Sequence, residues 1–219
     1  FTIKGKSYNV KTDKNGVASL VINLNSGNYS VRVKWNDLEA NSTVEVKPTI
    51  DGHNVAKVFR NDTQYYATFY DSNGDVLANK IVTFNINGVF YNRTTDENGV
   101  AKLNINLSPG EYIITAINPV TQEMISNNIS VLSHFIEHDD LEKIYGSATP
   151  FVVRLCNDKG QIADAGEIVK FNINGVMYEK LSDIDGFVKL NVNLQPGQYI
   201  ITSYYKDEAV SNIITVRSE

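Results

Sequence analysis

The stretch FNINGVFYNRTTDENGVAKLNINLSPGEYIITA, from Phe84 to Ala116, occurs in three versions along this chain of 219 residues. One version begins at Phe1 and reads FTIKGKSYNVKTDKNGVASLVINLNSGNYSVRV, and another begins at Phe171 and reads FNINGVMYEKLSDIDGFVKLNVNLQPGQYIITS. We call this stretch the cassette and number the copies by their order in the chain. A unit that recurs at a nearly constant period indicates repeated domains rather than one large fold. The cassette therefore predicts a tandem array.

Apolar and polar residues alternate through the middle of the second cassette. The apolar positions are Ala101, Leu103, Ile105 and Leu107, and the polar positions between them are Lys102, Asn104 and Asn106. The third cassette repeats the pattern at Leu190, Val192 and Leu194. Because successive side chains of a strand point to opposite faces, this period of two predicts a strand with one buried and one solvated face.

Short turn signals separate the predicted strands. An Asp-x-x-Gly sequence occupies the same place in each cassette, at residues 13–16, 96–99 and 183–186, and Asn87-Gly88 and Asn174-Gly175 mark tight hairpins. Asp accepts hydrogen bonds from the backbone of its own turn, and Asn and Gly tolerate positive φ. No window shows a helical period with caps. Several short strands between such turns predict an antiparallel β-sandwich.

Composition narrows the functional classes. The net charge is −5 and the pI is about 5.3, without a block of basic residues, which argues against a nucleic-acid partner and against a polybasic membrane contact. No apolar run approaches the roughly 18 residues of a membrane-spanning helix, so no membrane span is expected in this stretch. The single cysteine, Cys156, excludes a disulfide within the chain and is expected to be a half-buried, unreactive thiol.

The repeat divides the chain into three predicted domains. Residues 50–132 and 133–219 are each a complete copy, whereas residues 1–49 hold a cassette and a closing strand without the strands that precede the cassette elsewhere. We expect these leading strands to lie upstream in a longer protein, of which this sequence, beginning at Phe1 without Met, is a fragment. The linkers at residues 47–52 and 132–140 are short, so the domains are expected to form an extended array that bends little.

The second linker contains His134-Phe135-Ile136-Glu137-His138, which matches the H-x-x-E-H pattern of a class of zinc proteases. That chemistry requires both histidines on one face of a helix and a third ligand, and nothing around the motif predicts a helix. We therefore interpret the segment as a solvated linker, and we predict no catalytic residue and no specific metal site. Adventitious metal binding by His134 and His138, with Asp139 and Asp140, is the alternative.

No cofactor is predicted. The turn Asp71-Ser72-Asn73-Gly74-Asp75 is similar to part of a calcium loop, but the full loop with its closing Glu is absent. Turn geometry alone explains these residues.

Tyrosines cluster at two places. They are Tyr65, Tyr66 and Tyr70 in the second copy, and Tyr204 and Tyr205 in the third. Exposed aromatic rings stack on sugars, so these residues are candidates for a carbohydrate-binding face. The other interpretation is that alternate tyrosines belong to the core of the sandwich.

The second cassette and its flanks, at residues 82–91, 95–107 and 109–116, resemble the Ig-like repeats of adhesin-like cell-surface proteins of methanogenic archaea. The Asp-Gly and Leu-x-Pro-Gly-x-Tyr frame is similar, more distantly, to invasin-type and pilin-type bacterial surface domains. The resemblance covers nearly the whole chain except the linkers, and the first copy departs from it with Ser26 in place of Pro. It implies an all-β fold of tandem Ig-like antiparallel β-sandwich domains and an extracellular location on the cell envelope. It transfers no catalytic residue.

In bacterial surface domains of this kind, a Lys on the first strand and an Asn on the last strand can join in an intramolecular isopeptide bond. The matching residues are Lys57 and Asn127 in the second copy, and Lys143 and Asn212 in the third. The bond would close a long loop, as a disulfide does. Against it, Ala116 and Ser203 stand where the pilin-type relatives carry Glu. The other interpretation is that each Lys protects an edge strand and each Asn closes a turn.

These observations predict a structural or adhesive Ig-like module of an extracellular cell-surface adhesin rather than an enzyme. It would serve as a stalk or contact surface towards host or neighbouring microbial cells, with glycans and the other repeats of the same chain as partners. Two alternatives stay open: a carbohydrate-binding segment in its own right, and an accessory domain array of a larger surface enzyme. Fold alone does not choose among them, since sandwiches carry many functions.

Overall fold

The computed structural model describes residues 1–218, and their regular secondary structure consists of β-strands. The described chain divides into two compact units. The first unit contains residues 1–53, 65–103 and 113–127, and the second contains residues 54–64, 104–112 and those from 128 onward. The second copy therefore contributes residues to both units.

The first copy forms one antiparallel sheet in the first unit. Its strands are β1 (Thr2–Ile3), β2 (Lys6–Ser7), β3 (Gly27–Trp35) and β4 (Leu38–Val46), in the order β2-β1-β3-β4. Residues 8–26 alternate apolar and polar side chains but form no strand. In the other copies the matching segment pairs with a strand that precedes the cassette, and residues 1–47 contain no such strand. Alternation alone therefore does not make a strand here, because residues 1–47 provide no strand that pairs with this segment.

The second copy forms two sheets. Its strands are β5 (Ile50–Gly52), β6 (Val55–Val58), β7 (Gln64–Phe69), β8 (Ile81–Ile86), β9 (Val89–Thr94), β10 (Val100–Asn104), β11 (Gly110–Ile117) and β12 (Met124–Leu132). The smaller sheet has the order β10-β7-β5, and the larger sheet has the order β6-β12-β11-β8-β9. Strand β6 pairs with β12 in parallel. The alternating stretch of the cassette forms β10, as its period predicts.

The third copy repeats this topology within the second unit. Its strands are β13 (Phe135–Glu137), β14 (Leu141–Ile144), β15 (Phe151–Leu155), β16 (Ile168–Ile173), β17 (Val176–Leu181), β18 (Phe187–Leu190), β19 (Gly197–Tyr205) and β20 (Glu208–Arg217). The sheets have the orders β13-β15-β18 and β14-β20-β19-β16-β17, and β14 pairs with β20 in parallel. The same sequence pattern therefore gives the same strand order twice.

Aromatic rings from facing sheets meet in the core of each complete copy. In the second copy Tyr65 and Phe69 of β7 contact Phe84 of β8, with ring centroids 5.5 and 6.0 Å apart. In the third copy Phe151 of β15 meets Phe171 of β16 edge to face at 5.9 Å. All five rings are fully buried, and burial of a ring of this size contributes roughly 1.5–3 kcal/mol. These contacts join the two sheets of each copy into a β-sandwich.

The predicted Asp turns form in all three cassettes. The Oδ1 atom of Asp96 accepts hydrogen bonds from two backbone N–H groups of its own turn, each at 2.9 Å. Asp13 and Asp183 make the same pair of bonds in the other copies. The glycine that ends the turn has positive φ each time, for example 74° at Gly99. The prediction of a side-chain-capped turn is therefore confirmed.

Gly99 is a position where alanine is expected to destabilise the second copy. Gly99 and Gly88 both have positive φ, 74° and 78°, so a side chain costs about 1 kcal/mol at either one. A Cβ at Gly99 would also lie 2.8 Å from the carbonyl oxygen of Phe69, whereas one at Gly88 would meet nothing within 4 Å. We expect Gly99→Ala to lower the free energy of unfolding by about 1–3 kcal/mol more than Gly88→Ala, as measured by urea denaturation. Equal losses would show that the close approach to Phe69 does not matter.

Candidate functional site

The imidazole of His134 lies at the centre of a charged cluster in the second unit. Its side chain is 1% exposed. Its Nδ1 atom lies 3.2 Å from Glu208 Oε2, its Nε2 atom lies 3.0 Å from Asp158 Oδ1, and its backbone N–H donates to Glu208 Oε2 at 2.9 Å. Two carboxylates therefore hold the ring from opposite sides. The residue predicted to lie in a solvated linker is instead part of the protein interior.

Further polar groups complete this cluster. The Ser133 hydroxyl donates to Glu208, and the Lys206 ammonium pairs with Asp158. The ring of Tyr205 packs edge on against His134 with centroids 5.6 Å apart. We use the name charged cluster for Ser133, His134, Asp158, Lys206 and Glu208. Its members come from the linker, the loop between β15 and β16, the β19–β20 turn and the start of β20, so the cluster exists only in the folded third copy.

Residues 54–64 of the second copy lie in the same compact unit and contact the same loops. The Asn61 carboxamide donates to the backbone oxygen of Asp158 at 3.3 Å. The Arg60 guanidinium lies 3.8 Å from the Asp207 carboxylate. Both contacts are exposed, so each contributes roughly 0–1 kcal/mol. They fix residues 60–61 beside the charged cluster, where the second copy meets the third.

The pKa values of the cluster favour an imidazolium between two carboxylates. Burial lowers the pKa of His134, but hydrogen bonds to Glu208 and Asp158 outweigh burial and raise it above 6.5, while Lys206 opposes the rise. Burial raises the pKa of Glu208, but hydrogen bonds from His134 and Ser133 bring it below its ordinary 4.5. The pKa of Asp158 is lowered from 3.8, first by Lys206 and then by His134.

We expect the stability of the third copy to be greatest in mildly acidic solution. The raised pKa of His134 gives a stabilisation that is complete below 6.5 and is lost as the pH rises through the folded-state pKa. The lowered pKa of Glu208 gives a second stabilisation. It is complete above pH 4.5 and is lost as the pH falls through the folded-state pKa of Glu208. Urea midpoints measured against pH should therefore peak between these limits. The alkaline decline should disappear in His134→Gln, and an identical profile in that variant would contradict the assignment.

The cluster lacks the arrangement of a nucleophilic active site. The Ser133 hydroxyl donates to Glu208 rather than to His134, so it does not form the Ser–His pair of a typical serine nucleophile. The thiol of Cys156 donates to the Ser133 carbonyl oxygen at 3.5 Å, and burial, followed by the charge of Glu208, raises its pKa. The thiol is therefore protonated and unreactive at neutral pH. The expectation that Cys156 is half-buried is wrong, because the His134 segment pairs with its backbone and leaves it 2% exposed.

The structure does not bring His134 and His138 together as metal ligands. The five residues of the H-x-x-E-H motif span the strand β13 rather than a helix, and both ring nitrogens of His134 already contact carboxylates. The ring of His138 packs instead against Phe135, with centroids 6.3 Å apart. Among residues 1–218, no group of three or more His, Cys, Asp and Glu side chains is placed to hold a metal ion.

The buried Lys side chains bind backbone carbonyl groups. Lys57 Nζ donates to the carbonyl oxygens of Asn61, Thr63 and Ile105 at 2.6, 3.1 and 2.9 Å. Burial lowers the pKa of Lys57, and the nearby Asp62 carboxylate opposes this. Lys57 and Lys143 are 4% and 7% exposed, so they point into the protein rather than along a solvated edge strand.

Lys143 and the predicted isopeptide partner Asn212 lie apart. Lys143 Nζ donates to the carbonyl oxygens of Thr149 and Val192 at 3.0 and 2.9 Å. Lys143 stands opposite Val216, four residues beyond Asn212 on β20, an offset of about 13 Å at 3.3 Å per residue. The Asn212 carboxamide donates to the carbonyl oxygen of His138. In the second copy, Asn127 likewise accepts from the Tyr65 hydroxyl at 2.7 Å and donates to Gly52 at 3.0 Å.

The intact mass of the chain is expected to equal the mass calculated from its sequence. An isopeptide bond would release one ammonia for each Lys and Asn joined, and the two amines are held by carbonyl oxygens instead of by Asn127 or Asn212. Mass spectrometry of the purified protein measures this directly. A deficit of one or two ammonia molecules would show that the bonds form.

The tyrosine clusters divide between core and surface. Tyr65 and Tyr205 are 0% and 3% exposed, whereas Tyr66 and Tyr204 are 51% and 39% exposed. Burial, followed by the charge of Asp51, raises the pKa of Tyr65 to about 12. The alternation along each strand therefore places every second ring in the core, as the second interpretation predicts. The clusters do not form one continuous aromatic platform.

The Asp71 turn uses its carboxylate internally. Asp71 Oδ1 accepts from the backbone N–H groups of Asn73 and Asp75 at 2.8 and 3.0 Å. Both bonds lower the pKa of Asp71, and the bond from Asp75 has the larger effect. The carboxylate serves as a turn cap, in agreement with the interpretation from turn geometry.

Sequence reasoning missed Asn118, which is fully buried in the first unit. Its Nδ2 donates to the carbonyl oxygens of Tyr70 and Thr49 at 2.8 and 3.2 Å. Its Oδ1 accepts from the backbone N–H groups of Val120 and Thr121 at 2.9 and 3.2 Å. The Asn118-Pro119 dipeptide is a turn signal, and it was the one clue to this residue. Glu208 was missed as well, and nothing in the sequence around it marks a buried acid.

Facing sheets with this strand order, antiparallel except for the pairs β6–β12 and β14–β20, define a protein of tandem Ig-like β-sandwich domains. None of residues 1–218 lies in a helix long and apolar enough to cross a membrane. No protein-family model and no curated protein matches the sequence.

Solved structures of tandem domains are similar to the chain. They include the I9–I11 tandem of titin, 13% identical over 89% of this chain and 75% of that one, with a TM-score of 0.35. They also include SGBP-B of a Bacteroides ovatus mixed-linkage glucan utilization locus, in complex with a heptasaccharide, 15% identical over 99% of this chain and 59% of that one, with a TM-score of 0.31. A Ca²⁺-stabilized adhesin with which an Antarctic bacterium binds ice is 14% identical over 100% of this chain and 64% of that one, with a TM-score of 0.27. At such identities and TM-scores, nothing about the function of this chain follows from them.

Proposed function

We propose that this chain is a structural spacer module of an extracellular cell-surface adhesin. Its Ig-like domains hold a contact surface away from the cell envelope and towards host or neighbouring microbial cells. The assignment to adhesin-like proteins of methanogenic archaea rests on the resemblance of the cassette. The same spacer chemistry would serve an accessory array in a larger surface enzyme, and we propose no catalysis by this chain itself.

The structure of the second linker is the main observation that supports this proposal. A flexible tether keeps its polar groups in water, whereas His134 is buried between Glu208 and Asp158. A buried charge that loses its partners costs several kcal/mol, so residues 133–134 are held to the third copy directly after β12 ends at Leu132, and the linker has no free tether there. A junction that resists bending is what a spacer under load requires.

The stiffness of this junction can be measured with spin labels at Asn106→Cys and Asn193→Cys. Both positions are exposed, both belong to the second unit, and they are equivalent positions in the second and third cassettes. We expect a narrow distance distribution that broadens when His134→Ala is added. The matched control is His53→Ala, because the His53 side chain is 83% exposed. A broad distribution in the unaltered junction would reject the spacer proposal.

A second candidate function, carbohydrate binding, is favoured by a row of side chains on the outer face of the larger sheet. The row consists of Phe90, Asn85, Thr115 and Ser126 in the second copy and of Met177, Asn172, Thr202 and Ser211 in the third. Phe90 is 65% exposed, and Thr115 and Ser126 share a hydrogen bond of 2.8 Å. An exposed ring beside hydroxyl and amide groups provides the mixed contacts that a sugar uses.

Binding to a glycan panel tests this second function. If the row binds sugars, Phe90→Ala should weaken binding by about tenfold, equivalent to about 1.4 kcal/mol. The matched control is Val89→Ala, because Val89 is the neighbouring residue on the other face of β9 and is 50% exposed. Failure of the unaltered chain to bind any glycan would reject carbohydrate binding while leaving the spacer proposal standing.

A further inference from the structure

An acid at the same position of each complete copy binds the linker that precedes the copy. Glu208, at the start of β20, accepts from the backbone N–H of His134 at 2.9 Å. The equivalent residue of the second copy is Glu123, directly before β12, and it accepts from the backbone N–H of Thr49 at 2.5 Å and from its hydroxyl at 2.7 Å. Thr49 and His134 are equivalent too, because each directly precedes the first strand of its copy. The bond between acid and linker is therefore a repeated feature of the fold.

A serine hydroxyl also bonds to each of these acids, but the two serines come from different segments. At the second linker, the Ser133 hydroxyl donates to Glu208. The matching residue of the first linker is Pro48, which has no hydroxyl. There the hydroxyl of Ser26, from the turn that precedes β3 of the first copy, bonds to the Glu123 carboxylate instead. Ser26 and Glu123 line the same groove, which has a volume of 740 Å³.

Serine and proline exchange places between the two junctions. Ser26 occupies the position of Pro109, and Pro48 occupies the position of Ser133. Pro109 lines a groove together with Ser133 and Glu208, but it has no hydroxyl to donate to the acid. Each junction therefore has one serine and one proline at these positions, and each acid has one serine partner. The departure of the first cassette from the Pro-Gly pattern thus has a structural consequence.

The source of the serine decides which segments an acid joins. Glu208 holds residues 133–134 of the second linker to the third copy. Glu123 holds Thr49 of the first linker to the second copy and also bonds to Ser26 of the first copy. Burial raises the pKa of Glu123, but the bonds from Ser26 and Thr49 bring it below its ordinary 4.5. At neutral pH the acceptor is therefore a carboxylate, whose hydrogen bonds are stronger than those of a neutral group.

We infer that Glu123 is a docking site for the serine-bearing turn of the preceding Ig-like copy, and that the Ser26–Glu123 contact fastens the first copy to the second. This inference rests on the proposed spacer function and makes the two junctions different in kind. At the first junction the acid joins copy to copy, whereas at the second junction Glu208 binds the linker alone. The residue at the position of Ser26 and Pro109 determines which kind of junction follows a copy.

Spin labels at Ser30→Cys and Ile113→Cys in the whole chain test this contact. These are equivalent, exposed positions on β3 and β11, and both belong to the first unit. We expect a narrow distance distribution that broadens in Ser26→Pro, because a hydrogen bond to a charged group favours the docked state by about tenfold. Proline occupies this position in the other two copies, so the turn itself should still fold. The matched control is Ser42→Ala, an exposed serine of β4, which should leave the distribution unchanged.

Two further variants show whether Ser26 acts through Glu123. In a chain with Glu123→Ala, Ser26→Pro should cause no additional broadening. Adding Pro48→Ser to Ser26→Pro returns a serine to the acid from the linker, so the urea midpoint should recover while the distribution stays broad. An unchanged width in Ser26→Pro, the same added broadening without Glu123, or a narrow distribution after Pro48→Ser would each overturn the inference. The labels at positions 106 and 193 test the spacer proposal separately, because they lie in the second unit, which does not contain Ser26.

Discussion

Replacing Glu208 with alanine is expected to lower the free energy of unfolding of the third copy by about 3–5 kcal/mol. The carboxylate accepts hydrogen bonds from the backbone N–H and ring of His134, which are buried, and from the hydroxyl of Ser133, which is half-buried. Removing it leaves the imidazole with Asp158 as its one acidic partner and leaves a buried N–H without an acceptor. The loss therefore combines an uncompensated charge with an unsatisfied donor.

Hydrogen exchange of the buried amides in β19 and β20 measures this loss for the third copy by itself. The matched control is Glu142→Ala, because Glu142 also pairs with a cation, Arg217, at 2.8 Å, but both side chains are 62% exposed. An exposed pair contributes about 0–1 kcal/mol, so the control should change exchange little. Similar small changes in both variants would mean that the charged cluster does not stabilise the third copy.

The cassette predicts most of the fold because its strands and turns are encoded by residues that are close together in the sequence. The alternation around Leu103 and the Asp96 turn are read directly from neighbouring positions, and both appear in the structure. The first copy shows the limit of this reasoning. Residues 8–26 have the same alternation and the same Asp13 turn, yet they form no strand. A strand is a property of two segments, and the sequence of one segment does not show whether the other is present.

The charged cluster could not be predicted for a related reason. His134 and Glu208 are 74 residues apart in the chain, and a sequence motif records only short spacings. The motif that the sequence does display, His134 to His138, matches a zinc-site pattern that requires a helix, and its surroundings predict a solvated linker instead. The strand β13 separates the two histidines and turns the first one towards Glu208. Long-range pairing, rather than motif chemistry, decides the role of His134.

The position at the end of β3 and β19, and directly after β11, illustrates how one cassette site acquires three different environments. It is Trp35 in the first copy, Asn118 in the second and Tyr205 in the third. Trp35 is 66% exposed, whereas the other two are 0% and 3% exposed. The shared pattern determines the backbone conformation. The residue at this position determines which neighbouring groups of the copy it contacts. In the second copy this residue is a fully buried carboxamide. Substitutions at this position are therefore expected to destabilise the first unit.

Asn118→Ala is expected to lower the free energy of unfolding of the second copy by about 2–4 kcal/mol. The variant removes the donor to the Tyr70 carbonyl oxygen and the acceptor for the Val120 and Thr121 N–H groups. Each buried group left without a partner costs about 1–3 kcal/mol, and exchange with water offsets part of this for Val120, which is 54% exposed.

Two further variants separate the causes of this loss, with urea denaturation as the measurement. Asn118→Asp keeps the acceptor oxygen for the turn N–H groups but places a buried charged oxygen against the carbonyl oxygens of Tyr70 and Thr49, so at neutral pH it should lose at least as much stability as alanine. Asn92→Ala removes an exposed carboxamide that accepts one hydrogen bond, from Thr83 at 3.0 Å, and should cost less than about 1 kcal/mol. If Asn118→Ala lowered the free energy of unfolding as little as Asn92→Ala, water could replace the buried carboxamide. The second copy would then depend on its aromatic core alone, with Tyr65, Phe69 and Phe84 sufficient to hold its two sheets together.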